Sequence, residues 1–412
     1  MKNYFEIFRE APHEFKKITS LLFATYFFVL FSYPLVRSVS SAVFYEAYTA
    51  DDYSFATFIG VIALMIIIGV NNKLQNRIGV HKLYLVTGFV SVIVMLGAFI
   101  GFNNGMKQMA LVLFATKEAY IVLLVHTCLA FANAYYSLDQ MKQLIGPMGA
   151  AGSVGGILGG QVTSKLAKNI GTDPVFYFAL MAILVTVILF YFTRHTEIKG
   201  LEPNKSITPL KAVRGVKKYV FLIATIVSIS QFVIFVADLQ FNVVFEQIVQ
   251  EKDARTAYLG NFYSMINIVS LVLQFIILPL LLMKFSTRSI FLAIPVLYIF
   301  LIATGLGAGI GTLFIVASVF IAMKGMDYSV FGAVKEVMYS PLFSLQKFGA
   351  KYITDMFVYR SAKALIAFVM AQEVVKQTVE GTYTLAVIQF ICLSLWIFCI
   401  FVLFKEQKRL KH

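Results

Sequence analysis

The stretch RHTEIKGLEPNKSITPLKAVRGVKK, residues 194–218, is the longest polar segment between the apolar runs of this chain. It carries two prolines and seven Lys or Arg side chains, a composition that interrupts helices. On each side of it the chain consists of apolar runs of about 20 residues, the length that crosses a bilayer as a helix. Because six such runs precede the segment and six follow it, it predicts a linker between two blocks of six helices.

The overall composition indicates an integral membrane protein. Of the 412 residues, 59% are hydrophobic and only 14% are charged, and the mean hydropathy is +0.81. Soluble domains carry about 25% charged residues. The three cysteines all lie in apolar runs at spacings that match neither a metal site nor a disulfide framework.

Polar and charged breaks divide the apolar sequence into twelve predicted transmembrane helices. The predicted spans are 20–45, 54–71, 82–102, 119–137, 145–165, 174–193, 219–245, 257–283, 288–308, 311–331, 351–371 and 382–404. The fourth span starts at residue 119, which leaves Lys117 in the preceding loop. Lys252 and Arg255 are likewise predicted to lie in a loop, before the eighth span.

The distribution of Lys and Arg between alternate loops predicts the orientation of the helices. One set of loops, with both termini and the central segment, holds 24 of the 35 Lys and Arg residues, whereas the other set holds seven. We therefore expect both termini to be cytoplasmic, in the inner membrane of a bacterium. The basic rim is explained by this topology and by anionic lipid, so we expect no nucleic-acid partner.

The two halves repeat the same charge layout. A basic turn joins the second and third predicted helices, and another joins the eighth and ninth. The predicted fold class is therefore all-α, with twelve transmembrane helices in two six-helix bundles related as parallel repeats, the major facilitator architecture. The predicted domains are an N-terminal bundle, 1–193, a cytoplasmic linker, 194–218, and a C-terminal bundle, 219–412.

Charged residues inside the predicted spans require an explanation, because a charge is costly within a bilayer. Cations outnumber carboxylates among them, and surplus positive charge in a cavity favours an anionic solute. A network of ion pairs that only braces the helices is the alternative. The charged residues within the spans are Arg37, Asp238, Lys324, Asp327, Asp355, Arg360 and Lys363.

Two further patterns limit the possible functions. The run GAAGSVGGILGGQ, 149–161, contains overlapping G-x-x-x-G spacings, which predict close packing of helix backbones. The five histidines are scattered, and no nucleophile motif or metal spacing occurs. We therefore predict no enzyme activity, no cofactor and no metal.

The segment 324–360 resembles the nucleotide transporter family of plastid and intracellular-bacterial ATP/ADP translocases. The similarity lies in Lys324-Gly325, Tyr328-Ser329, Lys335-Glu336 and Tyr339-x-Pro341-Leu342, followed by YITDMFVYR at 352–360. Weaker matches are Glu118 and Asn133 in the first half and Asp238 in ADLQFN. The chain departs from the family where Ser38 to Ser41 replace charged residues and where Asn242 replaces a lysine.

The resemblance implies a secondary transporter that moves nucleotides by alternating access, through exchange or proton-coupled uptake. Fewer charged positions than in the family favour a nucleotide with fewer phosphates than ATP. The alternatives are a proton-coupled carrier of another organic anion and a non-transporting receptor or scaffold with the same fold. We expect a monomer in a lipid bilayer. The predicted substrate-binding residues are Arg37, Glu118, Asn133, Asp238, Asn242, Lys324, Asp327, Lys335, Glu336, Asp355, Tyr359, Arg360 and Lys363.

Overall fold

The computed structural model describes residues 11–194, 209–308, 312–372 and 382–410. Within these ranges almost every residue is helical and no strand occurs. Contacts divide the described residues into two compact units. One unit comprises the described parts of Met1–Tyr48, Ile62–Glu202 and Gln250–Asn267, and the other those of Thr49–Val61, Pro203–Val249 and Ile268–His412.

The first part of the chain forms five long helices. They are α1 (His13–Ala47), α2 (Ala50–Asn103), α3 (Met109–Tyr135), α4 (Leu138–Ile170) and α5 (Thr172–Tyr191). Helix α2 is broken at Gly79, whose φ of 78° is favourable only for glycine, so 50–78 and 80–103 are two separate crossings. Helix α4 begins with a capping box between Ser137 and Gln140.

After residue 208 the chain forms shorter helical pieces, several of which join end to end through π-helical turns. They are α6 (Pro209–Ala212), a 3₁₀ turn (Arg214–Val216), α7 (Lys217–Ile248), α8 (Lys252–Val272), a π turn (Leu273–Ile277), α9 (Leu278–Lys284), α10 (Thr287–Ala308), α11 (Leu313–Met326), a π turn (Asp327–Phe331), α12 (Gly332–Met338), α13 (Ser344–Lys351), a π turn (Tyr352–Val358), α14 (Tyr359–Met370) and α15 (Thr382–Leu410).

The described helices account for twelve crossings, as predicted. Nine helical segments are long and apolar enough to span a membrane, and α2 contains two crossings because of its break. The remaining two are the glycine-rich α4 and the continuous 344–370 segment, whose polar residues lower their hydropathy. Residues 195–208 of the predicted linker lie outside the described residues, and the predicted domain boundaries stay a prediction.

The glycines of α4 lie where other helices approach most closely. Gly155 and Gly159 lie against the carbonyl oxygens of Phe27 and Phe31 in α1. On another face of α4, a Cβ at Gly160 would lie 2.5 Å from the carbonyl oxygen of Gly260 in α8. These contacts confirm the predicted role of the G-x-x-x-G spacings.

An aromatic core positions α11 in the second unit. The indole of Trp396 is fully buried and packs edge-on against Tyr298 and Phe331, with ring centroids 5.8 and 5.4 Å away. The Tyr298 hydroxyl donates a 2.8 Å hydrogen bond to the carbonyl oxygen of Met323. This backbone contact lies one residue before Lys324 and holds that part of α11 in place.

Candidate functional site

A buried ion pair occupies the C-terminal part of α11. The ammonium of Lys324 lies 3.0 Å from the Asp327 carboxylate, and their side chains are only 11% and 6% exposed. This is the pairing expected from their spacing of three on a helix. The Lys324 Nζ also lies 4.5 Å from the ring centroid of Tyr328, a cation–π distance. Both charges are therefore compensated away from water.

A second ion pair connects α12 with the neighbouring π turn. The Lys335 Nζ lies 2.7 Å from Oδ1 of Asp355. The Tyr339 hydroxyl donates to the same carboxylate at 3.3 Å and also contacts the Thr354 hydroxyl. Burial, reinforced by the charge of Asp355, raises the pKa of the Tyr339 phenol, so Tyr339 stays a hydrogen-bond donor.

Two more cations follow on α14. A guanidinium nitrogen of Arg360 lies 3.4 Å from the backbone carbonyl oxygen of Asp355. Lys363, one turn further along the same face and half-buried, forms no hydrogen bond or ion pair with any described residue. Tyr359, also half-buried, adjoins Arg360. Glu336, by contrast, pairs with Lys351 on α13.

Both ion pairs lie at π-helical turns. The turn at Asp327–Phe331 begins at the acidic partner of the first pair, and the turn at Tyr352–Val358 contains the acidic partner of the second. A π turn inserts an extra residue and is frequently found at functional sites. The coincidence of irregular backbone with buried charge marks the α11–α14 segment as the candidate site.

Asp238 in α7 has neutral partners. Its carboxylate accepts hydrogen bonds from the Tyr53 hydroxyl at 2.7 Å and from the side-chain amide of Asn242 at 3.0 Å. It forms no ion pair with another residue in the described ranges. Tyr53 lies in the 49–61 segment that groups with the second unit. Asp238 and Asn242 were predicted as site residues, whereas Tyr53 was not.

The first unit holds the other predicted site residues. The guanidinium carbon of Arg37 lies 4.2 Å from the ring centroid of Tyr263. Glu118 is half-buried in α3, and Asn133 is exposed near the C-terminal end of that helix. The predicted site residues therefore belong to both units. Arg37, Glu118 and Asn133 lie in the first unit, and the other ten lie in the second.

Lys117 was wrongly assigned to a loop. It is buried inside α3, where its ammonium donates a 2.9 Å hydrogen bond to the Ser41 hydroxyl and lies 3.3 Å from the ring centroid of Phe114. A buried charge in a membrane helix is a functional-site candidate. The signal that could have identified it is the apolar run 109–116, which extends the fourth span upstream of Lys117.

A polar cluster at the N-terminal ends of α5 and α8 was also missed. Lys252 lies 2.9 Å from Asp173 and 3.4 Å from Glu46, so it bridges two carboxylates. Arg255 is buried and donates to the Tyr45 carbonyl oxygen at 2.7 Å. Lys252 and Arg255 were predicted to lie in a loop. Their partners belong to other helices, so the sequence alone does not identify them.

The cluster also caps a helix. The Asp253 carboxylate accepts the backbone N–H of Thr172, the first residue of α5, at 2.7 Å. An acidic group at this position satisfies a free donor and complements the helix dipole. No group of His, Cys, Asp and Glu with metal-binding geometry occurs among the residues described here.

Comparisons with known proteins give a family and a fold. The profile of the Major Facilitator Superfamily matches residues 19–334. A search of characterised protein sequences gives no significant match. The structure is similar to that of a variant of the nucleoside transporter NupG, with a TM-score of 0.73 and 12% identity, covering 94% of this chain and 100% of that one.

Two further transporters have similar structures. A D-xylose–proton symporter aligns with a TM-score of 0.67 and 12% identity over 95% of this chain and 98% of that one. A bacterial homologue of the iron transporter ferroportin, in an inward-facing state, aligns with a TM-score of 0.66 and 11% identity over 95% and 99% of the two chains. At these identities the similarity establishes the fold alone.

Proposed function

The chain belongs to the Major Facilitator Superfamily and is an integral-membrane secondary transporter rather than an enzyme. We propose that its substrate is a nucleotide with fewer phosphates than ATP. The transporters with similar structures handle chemically different solutes, so the fold does not select a substrate. The choice rests on the charges of the second unit and on the resemblance of 324–360 to the nucleotide transporters.

A surplus of positive charge carries the proposal. Residues 324–363 contain six cations and three carboxylates. Each of the three carboxylates already pairs with a lysine, in the pairs Lys324–Asp327, Lys335–Asp355 and Lys351–Glu336. The segment therefore has an excess of three positive charges after internal pairing. An anionic substrate compensates that excess.

The size of the excess favours two phosphate groups. A phosphate monoester carries about −1.5 to −2 charges at pH 7. A nucleoside diphosphate, which has a second phosphate group and carries about −3 charges, therefore matches the excess most closely. The ring of Tyr328 is 47% exposed beside Lys324, so an aromatic side chain is available to stack on a base next to the charged groups.

Ligand-dependent stability tests the substrate class. We expect nucleoside mono- or diphosphates to raise the thermal stability of the detergent-solubilised protein, because a ligand present at 100 times its Kd stabilises the folded state by about 2.7 kcal/mol. Triphosphates should have a smaller effect and free nucleosides none. Stabilisation by unrelated organic anions but by no nucleotide would instead support the carrier of another anion.

Lys363→Gln is the sharpest variant for the binding site. Because Lys363 has no partner in the described structure, its loss should weaken nucleotide binding without lowering the stability of the substrate-free protein. Lys284→Gln is the matched control, since Lys284 is exposed at the end of α9 and outside the candidate segment. Equal binding by wild type and Lys363→Gln would remove Lys363 from the proposed site.

Uptake into liposomes distinguishes exchange from proton coupling. Asp238 is the carboxylate to substitute in this experiment, because its hydrogen-bond partners are neutral whereas Asp355 is bound to a lysine. In a proton-coupled carrier, Asp238→Asn should abolish nucleotide accumulation driven by a pH gradient and leave counterflow intact. In a strict exchanger, the pH gradient has no effect on either protein. The absence of any flux would indicate a receptor or scaffold.

We also propose that the protein functions as a monomer with both termini on the cytoplasmic side of a bacterial inner membrane. The support for this orientation is the bias of Lys and Arg between alternate loops. A C-terminal tag should be cleaved by external protease in inverted vesicles and protected in right-side-out vesicles. The opposite pattern would reverse the orientation.

A further inference from the structure

A groove runs along α7 in the second unit, beside α14 and the π turn at Tyr352–Val358. It consists of two adjoining cavities with volumes of about 710 and 430 Å³, which share Ser228, Ile229 and Val358 as lining residues. We call it the α7–α14 groove. None of the charged residues of the candidate site lines it, so it is separate from the proposed nucleotide site.

The side chains that line the α7–α14 groove suit a hydrocarbon chain. Most of its side chains are apolar, and two of its three hydroxyl groups bond to their own helix: Thr225 donates to the Phe221 carbonyl oxygen at 2.9 Å and Ser228 to that of Ala224 at 3.0 Å. These hydroxyl donors are therefore not available to a polar solute. Apolar and aromatic side chains at the rim are strongly exposed, with Phe221 69% and Leu365 64% accessible.

One end of the groove is positively charged. Lys217, the first residue of α7, lines the larger cavity and is exposed. Lys211 and Arg214 precede it and are also exposed. Lys218 is the next residue, but its ammonium lies 2.6 Å from Glu406 of α15 and it does not line the groove. Lys217 is thus the cation that the groove presents to a ligand.

The length of the larger cavity along α7 matches one leaflet of a membrane. From Lys217 to Ser228 the helix advances by about 16 Å at 1.5 Å per residue. The hydrocarbon core of a bilayer is about 30 Å thick, so one leaflet contributes about half of that. An acyl chain that starts at the headgroup level near Lys217 would therefore lie along the groove and end near Ser228.

We infer that the α7–α14 groove binds an anionic phospholipid, with one acyl chain in the groove and the headgroup phosphate at Lys217. Basic pockets between transmembrane helices are suited to anionic headgroups. The close packing of α1 with α4 at Gly155 and Gly159 leaves no comparable space in the first unit at those positions.

Native mass spectrometry of the delipidated full chain tests this inference. The protein is mixed with micelles that contain dioleoylphosphatidylglycerol or dioleoylphosphatidylcholine at equal mole fraction. We expect about fivefold more bound phosphatidylglycerol, the preference that one basic side chain near a lipid headgroup provides. Equal retention of the two lipids would overturn the assignment of the headgroup.

Three variants locate the lipid. Lys217→Gln should abolish the preference for the anionic lipid, while the adjacent Lys218→Gln should keep it. Ala224→Leu, which fills the groove, should reduce the binding of both lipids severalfold. Unchanged binding by both Lys217→Gln and Ala224→Leu would refute the site. If Ala224→Leu does not fold, the exposed Lys217 and Lys218 variants decide the question by themselves.

Competition separates a lipid from a free anion. Glycerol phosphate carries the same charged group without an acyl chain, and at millimolar concentration it should not displace phosphatidylglycerol. Displacement would show that the groove selects a soluble phosphate and would overturn the lipid assignment. Failure of the lipid experiment leaves the nucleotide proposal standing, because none of the predicted substrate-binding residues lines the groove.

Discussion

Substitution of Gly160 by alanine should destabilise the protein because two helix backbones meet at this position. A Cβ on Gly160 would lie 2.5 Å from the Gly260 carbonyl oxygen and 2.7 Å from the Cβ of Ser264. Neither atom is the end of a flexible side chain, so α4 and α8 must move apart. Overpacking of this kind costs about 1–3 kcal/mol.

Gly149→Ala is the matched control for this prediction. It lies on the same helix, and a Cβ there would meet no atom within 4 Å. Alanine is favoured over glycine within a helix by about 1 kcal/mol, and this gain is common to both variants. The difference in unfolding free energy between Gly160→Ala and Gly149→Ala therefore isolates the steric term, which we expect to be about 1–3 kcal/mol.

Chemical or thermal unfolding of the purified protein measures this difference. Gly149→Ala should be as stable as wild type or more stable, and Gly160→Ala should be clearly less stable. Equal stability of the two variants, within about 0.5 kcal/mol, would mean that the backbones of α4 and α8 do not approach at Gly160.

Two further substitutions test the charged contacts. Asp253→Ala removes the carboxylate that caps Thr172 at the start of α5, and we expect a loss of about 1 kcal/mol in unfolding free energy. Stability equal to wild type would show that the cap contributes nothing. Lys324→Gln leaves the Asp327 carboxylate buried without its cation and should cost about 3–5 kcal/mol, whereas the double variant with Asp327→Asn should recover most of that loss. A double variant as unstable as Lys324→Gln would show that the lysine acts through packing rather than charge.

Most of the fold could be predicted because each crossing has its own hydropathy signal. The twelve predicted spans correspond to the observed helices, and the basic turn near Gly79 was correctly read as a break between two of them. The ends were less accurate where polar residues lie inside a helix. The eleventh span was predicted to begin at residue 351, whereas the helical segment begins at Ser344.

The pairing of charges could be predicted only within a helix. Lys324 and Asp327 are three residues apart and were expected to share a face, as they do. The Lys335–Asp355 pair connects α12 with the π turn at Tyr352–Val358, 20 residues further along the chain, so it depends on tertiary packing. Spacing arguments also assume 3.6 residues per turn, an assumption that fails across the π turn at Tyr352–Val358.

The Lys324–Asp327 and Lys335–Asp355 ion pairs differ in a way that bears on transport. A buried ion pair adds little net stability, because desolvation offsets the attraction between the charges. We expect its role here to be to hold the lysine side chain in a fixed orientation before a substrate binds. The carboxylate of Asp355 is 29% exposed, compared with 6% for Asp327.

For the proposed nucleotide substrate, we therefore expect a phosphate to replace Asp355 at Lys335 with less reorganisation than it needs to replace Asp327 at Lys324. Exchange of one anion for another also leaves the charge of the Lys335 ammonium balanced at every stage. On these grounds, we expect Lys335–Asp355 to be the pair that opens when the proposed substrate binds, and Lys324–Asp327 to be the pair that keeps α11 in place beside it.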